Sequence, residues 1–259
     1  MNRINQLFQQ QTHPLLSLYF CAGSTGLDDT PHIIRQLAEK GVDMIEIGIP
    51  FSDPMADGPV IQEASTKALH NGMTLHILMD QLCNIRQDVP DMPLLFMGYL
   101  NPIMQYGFEN FCRDCAACGI DGMIIPDLPF DDYIRDYRPV ADRYGLRMVM
   151  LITPETSEER IRLIDEATDG FIYMVSTAAT TGAQNAFSPE ALAYFDRIAG
   201  MGLRNPRLIG FGISNRATYS AASSHAAGCI IGSQFVKLLD AEKGDAARAY
   251  DGLMERLQK

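Results

Sequence analysis

One segment of the chain places three carboxylates where proton chemistry is possible. Glu46 lies between Ile45 and Ile47 in the apolar run "DMIEIGIP", and Asp53 and Asp57 follow in the Pro- and Gly-rich segment "FSDPMADGP". Burial opposes the ionisation of a carboxyl group and raises its pKa, which suits proton exchange near neutral pH. A dry acid beside a more hydrated one can hold two protonation states and perform two roles.

Each of these acids also has a structural interpretation. A buried carboxylate can be capped by backbone donors or paired with a cation, and for Glu46 considered alone this explanation is as good as catalysis. An acid in a Pro- and Gly-rich loop can simply shape a turn, which accounts for Asp53 better than for Asp57. Glu46 and Asp57 are therefore the candidate catalytic pair.

Three glycine-containing segments farther along the chain have the pattern of a phosphate site. They are "TTGAQ", "GFGIS" and "IIGSQFVKLL", the last running into a short helix that starts near Ser233. Glycine lets backbone N–H groups approach an anion, and a helix N-terminus adds its positive dipole end. Any one glycine could instead serve a turn. The absence of a P-loop lysine pattern favours a small phosphate ester over a nucleotide.

The cysteines could suggest a metal site. Cys112, Cys115 and Cys118 give C-x-x-C-x-x-C, which superficially resembles iron–sulfur ligation. The surrounding pattern predicts a helix that ends at Gly119, and threefold spacing on a helix turns each thiol backwards around the axis. With no evident fourth ligand nearby, we interpret these residues as small buried side chains and expect no metal.

The elements that must position these groups alternate regularly. Eight short apolar runs of strand type start at Leu15, Met44, Pro93, Gly122, Arg147, Phe171, Arg207 and Gly228. Amphipathic helix patterns with polar starts and glycine stops lie between them. Eight such units without a linker-like break predict a single (β/α)₈ TIM barrel over residues 1–259, an α/β fold, rather than a doubly wound open sheet.

The barrel explains how a carboxylate can occupy an apolar strand. Glu46 shares a strand face with Met44 and Gly48, while the isoleucines share the other face and suit the surrounding helices. Glu46 should therefore point inward near the carboxyl end of the second strand, where barrel enzymes assemble their sites. Two further segments fit this fold: "RINQLFQQ" as an N-terminal plug of the barrel bottom, and "TLHILMDQLCNIRQD" as an extra helix.

Composition and charge limit the partners. Apolar residues make up 47% of the chain and charged residues 20%, an ordinary globular balance. The net charge of −11 argues against nucleic-acid and anionic-membrane partners, because both surfaces would repel the chain. No long uncharged apolar run or signal pattern is present, so we expect a soluble, cytoplasmic protein.

Taken together, the motifs resemble a known family. The segments "IEIGIPFSDPMADGPVIQ", "MGYLNP", "PDLP", "TTGA", "GFGIS" and "IIGS" follow in order between Leu15 and about Leu239. In sequence and spacing they are similar to the α subunit of tryptophan synthase. The second-strand segment is the most specific of them, whereas "GFGIS" and "IIGS" by themselves are weak signals.

The resemblance implies a reaction and two catalytic roles. The family cleaves indole-3-glycerol phosphate by a retro-aldol reaction to indole and glyceraldehyde 3-phosphate, without an organic cofactor or a metal. Glu46 matches the family's general acid and base, which moves protons to indole C3 and from the glycerol hydroxyl. Asp57 matches the acid that binds the indole N–H and stabilises positive charge on the ring.

The resemblance also implies the binding residues. The family's apolar indole pocket corresponds to Tyr19, Met97, Tyr99, Ile124, Phe211 and Ile230, all expected on strand segments. Tyr173 matches a tyrosine near the glycerol chain, and Thr181 a residue that locks the closed loop after strand six. The phosphate-binding backbone corresponds to Gly182, Gly212, Gly232 and Ser233. The chain departs from the pattern in the loop Thr177–Thr181 and at Ser24–Thr25, which bears on loop closure and on signalling to the partner rather than on the acids.

Family members dock on a pyridoxal-phosphate β subunit that receives the indole, usually in an α2β2 tetramer. The resemblance places much of that contact on the loop holding Asp53 and Pro54 and on "MGYLNPIMQYG". Other possibilities are a different phosphate-binding barrel enzyme, a silent barrel that activates a β subunit, and a stand-alone indole-releasing lyase. The first would carry different acids at its strand ends, and the second would show a damaged site.

Overall fold

In the computed structural model, which describes residues 1–176 and 186–258, eight parallel strands close into a barrel with the order β1-β2-β3-β4-β5-β6-β7-β8. The strands are β1 (Leu15–Cys21), β2 (Met44–Gly48), β3 (Leu94–Met97), β4 (Gly122–Ile124), β5 (Arg147–Ile152), β6 (Ile172–Val175), β7 (Arg207–Gly210) and β8 (Gly228–Ile231). The predicted (β/α)₈ barrel is confirmed.

Helices surround the barrel and connect successive strands. They are α1 (Arg3–Gln9), α2 (Thr30–Glu39), α3 (Pro59–His70), α4 (Leu75–Leu82), α5 (Leu100–Tyr106), α6 (Phe108–Cys118), α7 (Phe130–Asp132), α8 (Arg138–Arg143), α9 (Glu158–Ala167), α10 (Pro189–Ala199), α11 (Arg216–His225), α12 (Ser233–Ala241) and α13 (Ala246–Gln258). A 3₁₀ turn covers Ile85–Gln87 and a π-helical turn covers Tyr133–Tyr137. The predicted extra helix after the second strand is α4.

Side-chain caps set several helix starts as the sequence indicates. Thr74, Ser157, Ser188 and Asn215 each accept a hydrogen bond from a backbone N–H in the first turn of α4, α9, α10 and α11. Such caps satisfy one of the free N–H groups at a helix start. None of the helices in the described residues is long and apolar enough to cross a membrane.

The strand register fixes which residues face the barrel interior. Tyr19 of β1 lies opposite Glu46 of β2, and Ser17 lies opposite Met44. Because side chains alternate along a strand, these four residues share the inner face. The apolar inner core of the barrel includes Leu15, Met44, Leu95, Ile124, Val149, Phe171, Leu208 and Ile230. A second apolar core lies between the strands and the helices.

The N-terminal helix closes the bottom of the barrel, as predicted. Ile4 of α1 is fully buried in the inner core, and the ring of Phe8 lies 5.7 Å from that of Phe171. Arg3 also pairs with the buried Asp121, with 2.9 Å between Nη1 and Oδ1. The plug is therefore held by apolar packing and by an ion pair at the base of β4.

The cysteine cluster is part of the packing of α6. Cys112, Cys115 and Cys118 are buried, their thiols are free, and the helix ends before Gly119 with its φ of 76°. In the parts of the chain that the structure describes, no group of three or more His, Cys, Asp or Glu residues could hold a metal ion.

The strand ends differ from the sequence-based expectation in two places. Tyr99 was expected on the third strand, but that strand ends at Met97 and Tyr99 follows it as the N-cap of α5. Phe211 was expected on the seventh strand but lies just beyond it with a φ of 69°. The left-handed backbone of Phe211 cannot continue a strand, and Tyr99 already begins α5, so both aromatic residues lie beyond the strand ends.

The plug generates a stability prediction. Ile4→Ala should lower the free energy of unfolding by about 2–4 kcal/mol, because it leaves a cavity in a fully packed barrel floor. Urea unfolding followed by circular dichroism measures the change. Leu163→Ala on α9 is the control, since that side chain is 44% exposed. Equal costs for the two variants would show that α1 does not close the core.

Candidate active site

A cleft that is open to solvent lies at the carboxyl ends of the strands. The predicted residues that line it are Tyr19, Glu46, Asp57, Met97, Tyr173, Phe211, Gly212, Ile230, Gly232 and Ser233. Both candidate acids and three of the four candidate phosphate positions therefore meet in one cleft.

Glu46 is a fully buried acid held at one oxygen. The Ser17 hydroxyl donates to its Oε1 at 2.8 Å, and its Oε2 has no hydrogen-bond partner among the described residues. Desolvation raises the pKa of Glu46 to about 8, although the hydrogen bond from Ser17 acts in the opposite direction. A carboxyl group with this pKa can both give and accept a proton near neutral pH.

Asp57 occupies a different environment in the loop after β2. The Tyr99 hydroxyl donates to its Oδ2 at 2.8 Å and accepts from the backbone N–H of Ala56 at 3.0 Å. Burial raises the pKa of Asp57 above its usual range, and the hydrogen bond from Tyr99 lowers it again. Tyr99 thus fixes the loop and the acid together, a role that its expected place in an apolar pocket did not include.

Two tyrosines enter the cleft over glycines of the neighbouring strands. A Cβ atom at Gly48 would lie 2.2 Å from the hydroxyl of Tyr19, and one at Gly210 would lie 2.2 Å from that of Tyr173. Only glycine leaves space for these rings. Desolvation raises the pKa of both phenols well above 10, so both remain neutral donors and acceptors in the cleft.

The opposite end of the cleft can accept an anion. Gly232 precedes α12, whose start has no side-chain cap, and Gly212 has a φ of 75°. The N–H groups of an uncapped helix start are available to a ligand, and the helix dipole favours negative charge there. A Cβ at Gly232 would meet no atom closer than 3.7 Å, so the space beside this backbone is open.

The remaining predicted residues have other places. Tyr99 lines a smaller pocket beside the cleft, which also contacts Asp57 and Met97. Ile124 is fully buried in the inner core and is not among the residues that line the cleft. Thr181 and Gly182 lie outside the described residues.

Sequence reasoning missed Ser17 beside Glu46 and three polar residues that line the cleft, Ser214, Gln234 and Lys237. Ser17 was read as part of an apolar strand, although its inward register beside Glu46 could have been inferred from the alternation. Lys237 is the one cationic side chain among the described residues that line the cleft. Its position four residues after Ser233, one helical turn along α12, was a usable signal.

The comparisons with known proteins agree on one family. A sequence profile described as "Tryptophan synthase alpha chain" matches residues 5–259. Proteins of that name from Phocaeicola vulgatus and Bacteroides thetaiotaomicron are 65% and 66% identical over 258 residues, which is 100% of each chain.

Solved structures with the same fold include the tryptophan synthase alpha chain of Legionella pneumophila. It has a TM-score of 0.86 and 29% identity, covering 100% of this chain and 96% of that one. A structure of tryptophan synthase from M. tuberculosis in an aminoacrylate-bound form has a TM-score of 0.80 and 27% identity, covering 96% and 99%.

The buried acid generates a prediction of pH-dependent stability. The pKa of Glu46 is about 8 in the folded chain against an ordinary value of 4.5, so its contribution to stability is full below about pH 4.5 and is lost as the pH rises through 8. Glu46→Gln removes that loss. Relative to the unchanged chain, the variant should gain a few kcal/mol of unfolding free energy between pH 5 and pH 9.

Urea unfolding at the two pH values measures this gain, and any pH-independent cost of the glutamine cancels in the comparison. Glu63→Gln serves as the control, because the Glu63 side chain is 69% exposed on α3. A difference between variant and unchanged chain that is the same at both pH values would contradict a raised pKa for Glu46.

Proposed function

The chain belongs to the tryptophan synthase alpha chain family, and from this premise we propose how its cleft carries out the family's reaction. The chain is a lyase of that family, and the reaction is cleavage of indole-3-glycerol phosphate to indole and glyceraldehyde 3-phosphate. One observation supports the assignment of roles above all: a fully buried glutamate with an unpartnered oxygen shares a cleft with a second acid and an uncapped helix start.

Glu46 performs both proton transfers in the proposed mechanism. Its protonated form delivers a proton to C3 of the indole, which makes the ring a positively charged electron acceptor. The resulting carboxylate then takes the proton of the glycerol hydroxyl beside the ring, the carbon–carbon bond breaks, and its electrons restore neutral indole while the aldehyde forms. Glu46 ends protonated, as it began, and its pKa of about 8 makes both transfers feasible near neutral pH.

Asp57 stabilises the charge that develops between the two steps. Its carboxylate accepts a hydrogen bond from the indole N–H, which becomes more acidic when C3 is protonated. This interaction is stronger in the charged intermediate than in the substrate, so it lowers the barrier. Because the Tyr99 hydroxyl already holds Oδ2, the second oxygen is the one that meets the ring.

The walls of the cleft suit the two ends of the substrate. We propose that Tyr19, Met97, Phe211 and Ile230 hold the indole ring and that Tyr173 contacts the glycerol chain. The ring of Tyr173 packs edge-on against Phe211, with 6.0 Å between centroids, so the two groups fix each other. Tyr99 and Ile124 support this pocket from beside and beneath it.

The phosphate group of the substrate has a binding site separate from the indole pocket. The backbone N–H groups at Gly212, Gly232 and Ser233, together with the dipole of α12, attract the anion, and Lys237 adds a positive charge to a cleft that otherwise holds two acids. From the family pattern alone, we propose that Gly182 also binds the phosphate group. We propose on the same ground that Thr181 stabilises the closed form of the loop that follows β6.

The alpha chains of this family need no cofactor of their own, since the pyridoxal phosphate belongs to the β subunit. A β subunit is the partner of the family, and we propose an α2β2 assembly here. Two exposed methionines support a docking face at the barrel mouth: Met55 in the loop after β2 is 87% exposed and Met104 on α5 is 55% exposed. Both lie in the segments that the sequence resemblance assigns to that contact.

Indole release from indole-3-glycerol phosphate tests the function directly. We expect the purified chain to release indole, and a β subunit to raise the rate. Glu46→Gln should lower kcat by about 10³-fold or more, because no other group in the cleft replaces both proton transfers. The affinity for glycerol 3-phosphate should stay within about twofold, since its seat lies at the other end.

Glu63→Gln makes the same chemical change on the exposed face of α3 and should leave kcat unchanged. Turnover by Glu46→Gln at the rate of this control would remove Glu46 from the mechanism. Absence of indole release by the unchanged chain, alone and with a β subunit, would refute the proposed function as a whole.

Asp57→Asn separates charge stabilisation from loop structure. We expect kcat/KM for cleavage to fall by roughly 10²–10³-fold, because the amide cannot balance positive charge on the ring. Glycerol 3-phosphate binding, measured by calorimetry, should not change. Asp53→Asn in the same loop is the control, because Asp53 is exposed and does not line the cleft. Parallel loss of cleavage and glycerol 3-phosphate binding would instead make Asp57 a loop-shaping residue.

A further inference from the structure

A polar side chain lies within the apolar interior of the barrel, beneath the active site. Ser17 is fully buried on the inner face of β1, where its register neighbours are Met44 of β2 and Ile230 of β8. A buried hydroxyl without a partner would destabilise the fold, because it loses the hydrogen bonds that water gives it in the unfolded chain. The Ser17 hydroxyl avoids this cost by donating to Oε1 of Glu46 at 2.8 Å.

This hydrogen bond makes the two carboxyl oxygens of Glu46 unequal, because it engages Oε1 and leaves Oε2 free. A neutral carboxyl group has one oxygen that carries the proton and one that only accepts. With the Ser17 hydroxyl donating to Oε1, the exchangeable proton of the neutral acid belongs on Oε2. Oε2 has no partner among the described residues, and Glu46 itself lines the cleft.

We propose that Ser17 is a positioning residue that holds Glu46 by Oε1 and thereby makes Oε2 the oxygen that exchanges protons with the substrate. This inference rests on the proposed function and deepens it. It gives the general acid a fixed direction: the side chain is anchored from below, so its proton points toward the substrate and not toward the barrel floor.

Among the described residues around Glu46, Ser17 is the one that binds Oε1. The titratable groups that face Glu46 in the cleft are Tyr19 of β1, Asp57 of the loop after β2 and Tyr173 of β6. Among the hydrogen bonds of the described residues, the donor to Oε1 is the Ser17 hydroxyl and not either phenol, and Asp57 is held by Tyr99. Desolvation raises the pKa of Glu46, and Ser17 is the group that lowers it.

Ser17→Ala removes the donor and should change catalysis in a characteristic way. The pKa of Glu46 should rise further, so the high-pH limb of the kcat profile should move upward by roughly one pH unit. The value of kcat at its optimum should fall by about tenfold, because the acid loses its fixed orientation. KM should change less than twofold, since Ser17 touches no part of the substrate.

Ser17→Thr and Ser17→Val form a matched pair that keeps the test valid if the alanine variant folds poorly. The two side chains have the same shape and differ in the hydroxyl group. Threonine should preserve the pH profile and most of kcat, whereas valine should reproduce the alanine result. Equal kcat and pH profiles for the threonine and valine variants would overturn the proposal and leave Ser17 as a space-filling residue.

A substrate-free measurement separates this inference from the proposed function. Carbon-13 NMR of labelled glutamate side chains, assigned by the signal lost in Glu46→Gln, follows the titration of Glu46 directly. An upward displacement of that titration in the alanine and valine variants supports the hydrogen bond, and an unmoved titration refutes it. Absence of indole release by the unchanged chain would refute the function, while the titration would still decide whether Ser17 controls Glu46.

Discussion

The desolvation of one carboxyl group is the constraint on which the rest of the structure depends. Glu46 has no exposed surface, and the closed barrel keeps water from it on every side except the cleft. An ionised acid there is costly unless it is paired, and the chain supplies one neutral hydroxyl instead of a cation. The consequence is a group that stays protonated until about pH 8, which is useful in catalysis and unfavourable for stability.

The strands of the barrel hold some site residues rigidly, and the loops bring others to the substrate. The strands carry the groups whose positions must be fixed, among them Glu46, Ser17 and Tyr173, and pack them over an apolar floor closed by α1. The loops bring in the groups that must approach the substrate from outside, such as Asp57, and Tyr99 holds that loop by hydrogen bonds at both its hydroxyl donor and acceptor sites. Glycines at the strand ends give the tyrosine rings their space.

The two ends of the cleft differ in charge, because the acids line one end and the positive groups lie at the other. The chain has a net charge of −11, and two acids line the cleft, so an anionic substrate needs a local positive seat. The uncapped start of α12 and Lys237 provide it at the end opposite the acids. Capping side chains start α4, α9, α10 and α11, whereas α12, like several other helices, starts without one; at α12 the free N–H groups lie beside the cleft.

The sequence alone determined the barrel, the plug helix and the acid pair, because alternation of side chains and repetition of strand–helix units are local patterns that burial enforces. It misplaced Tyr99 and Phe211 on strands, because the apolar pattern continues past each strand end, whereas in the structure Tyr99 is the N-cap of α5 and Phe211 has a left-handed backbone. It also gave no role to Ser17. A serine in an apolar strand acquires a function only when the closed barrel brings its hydroxyl within 2.8 Å of an acid 29 residues away.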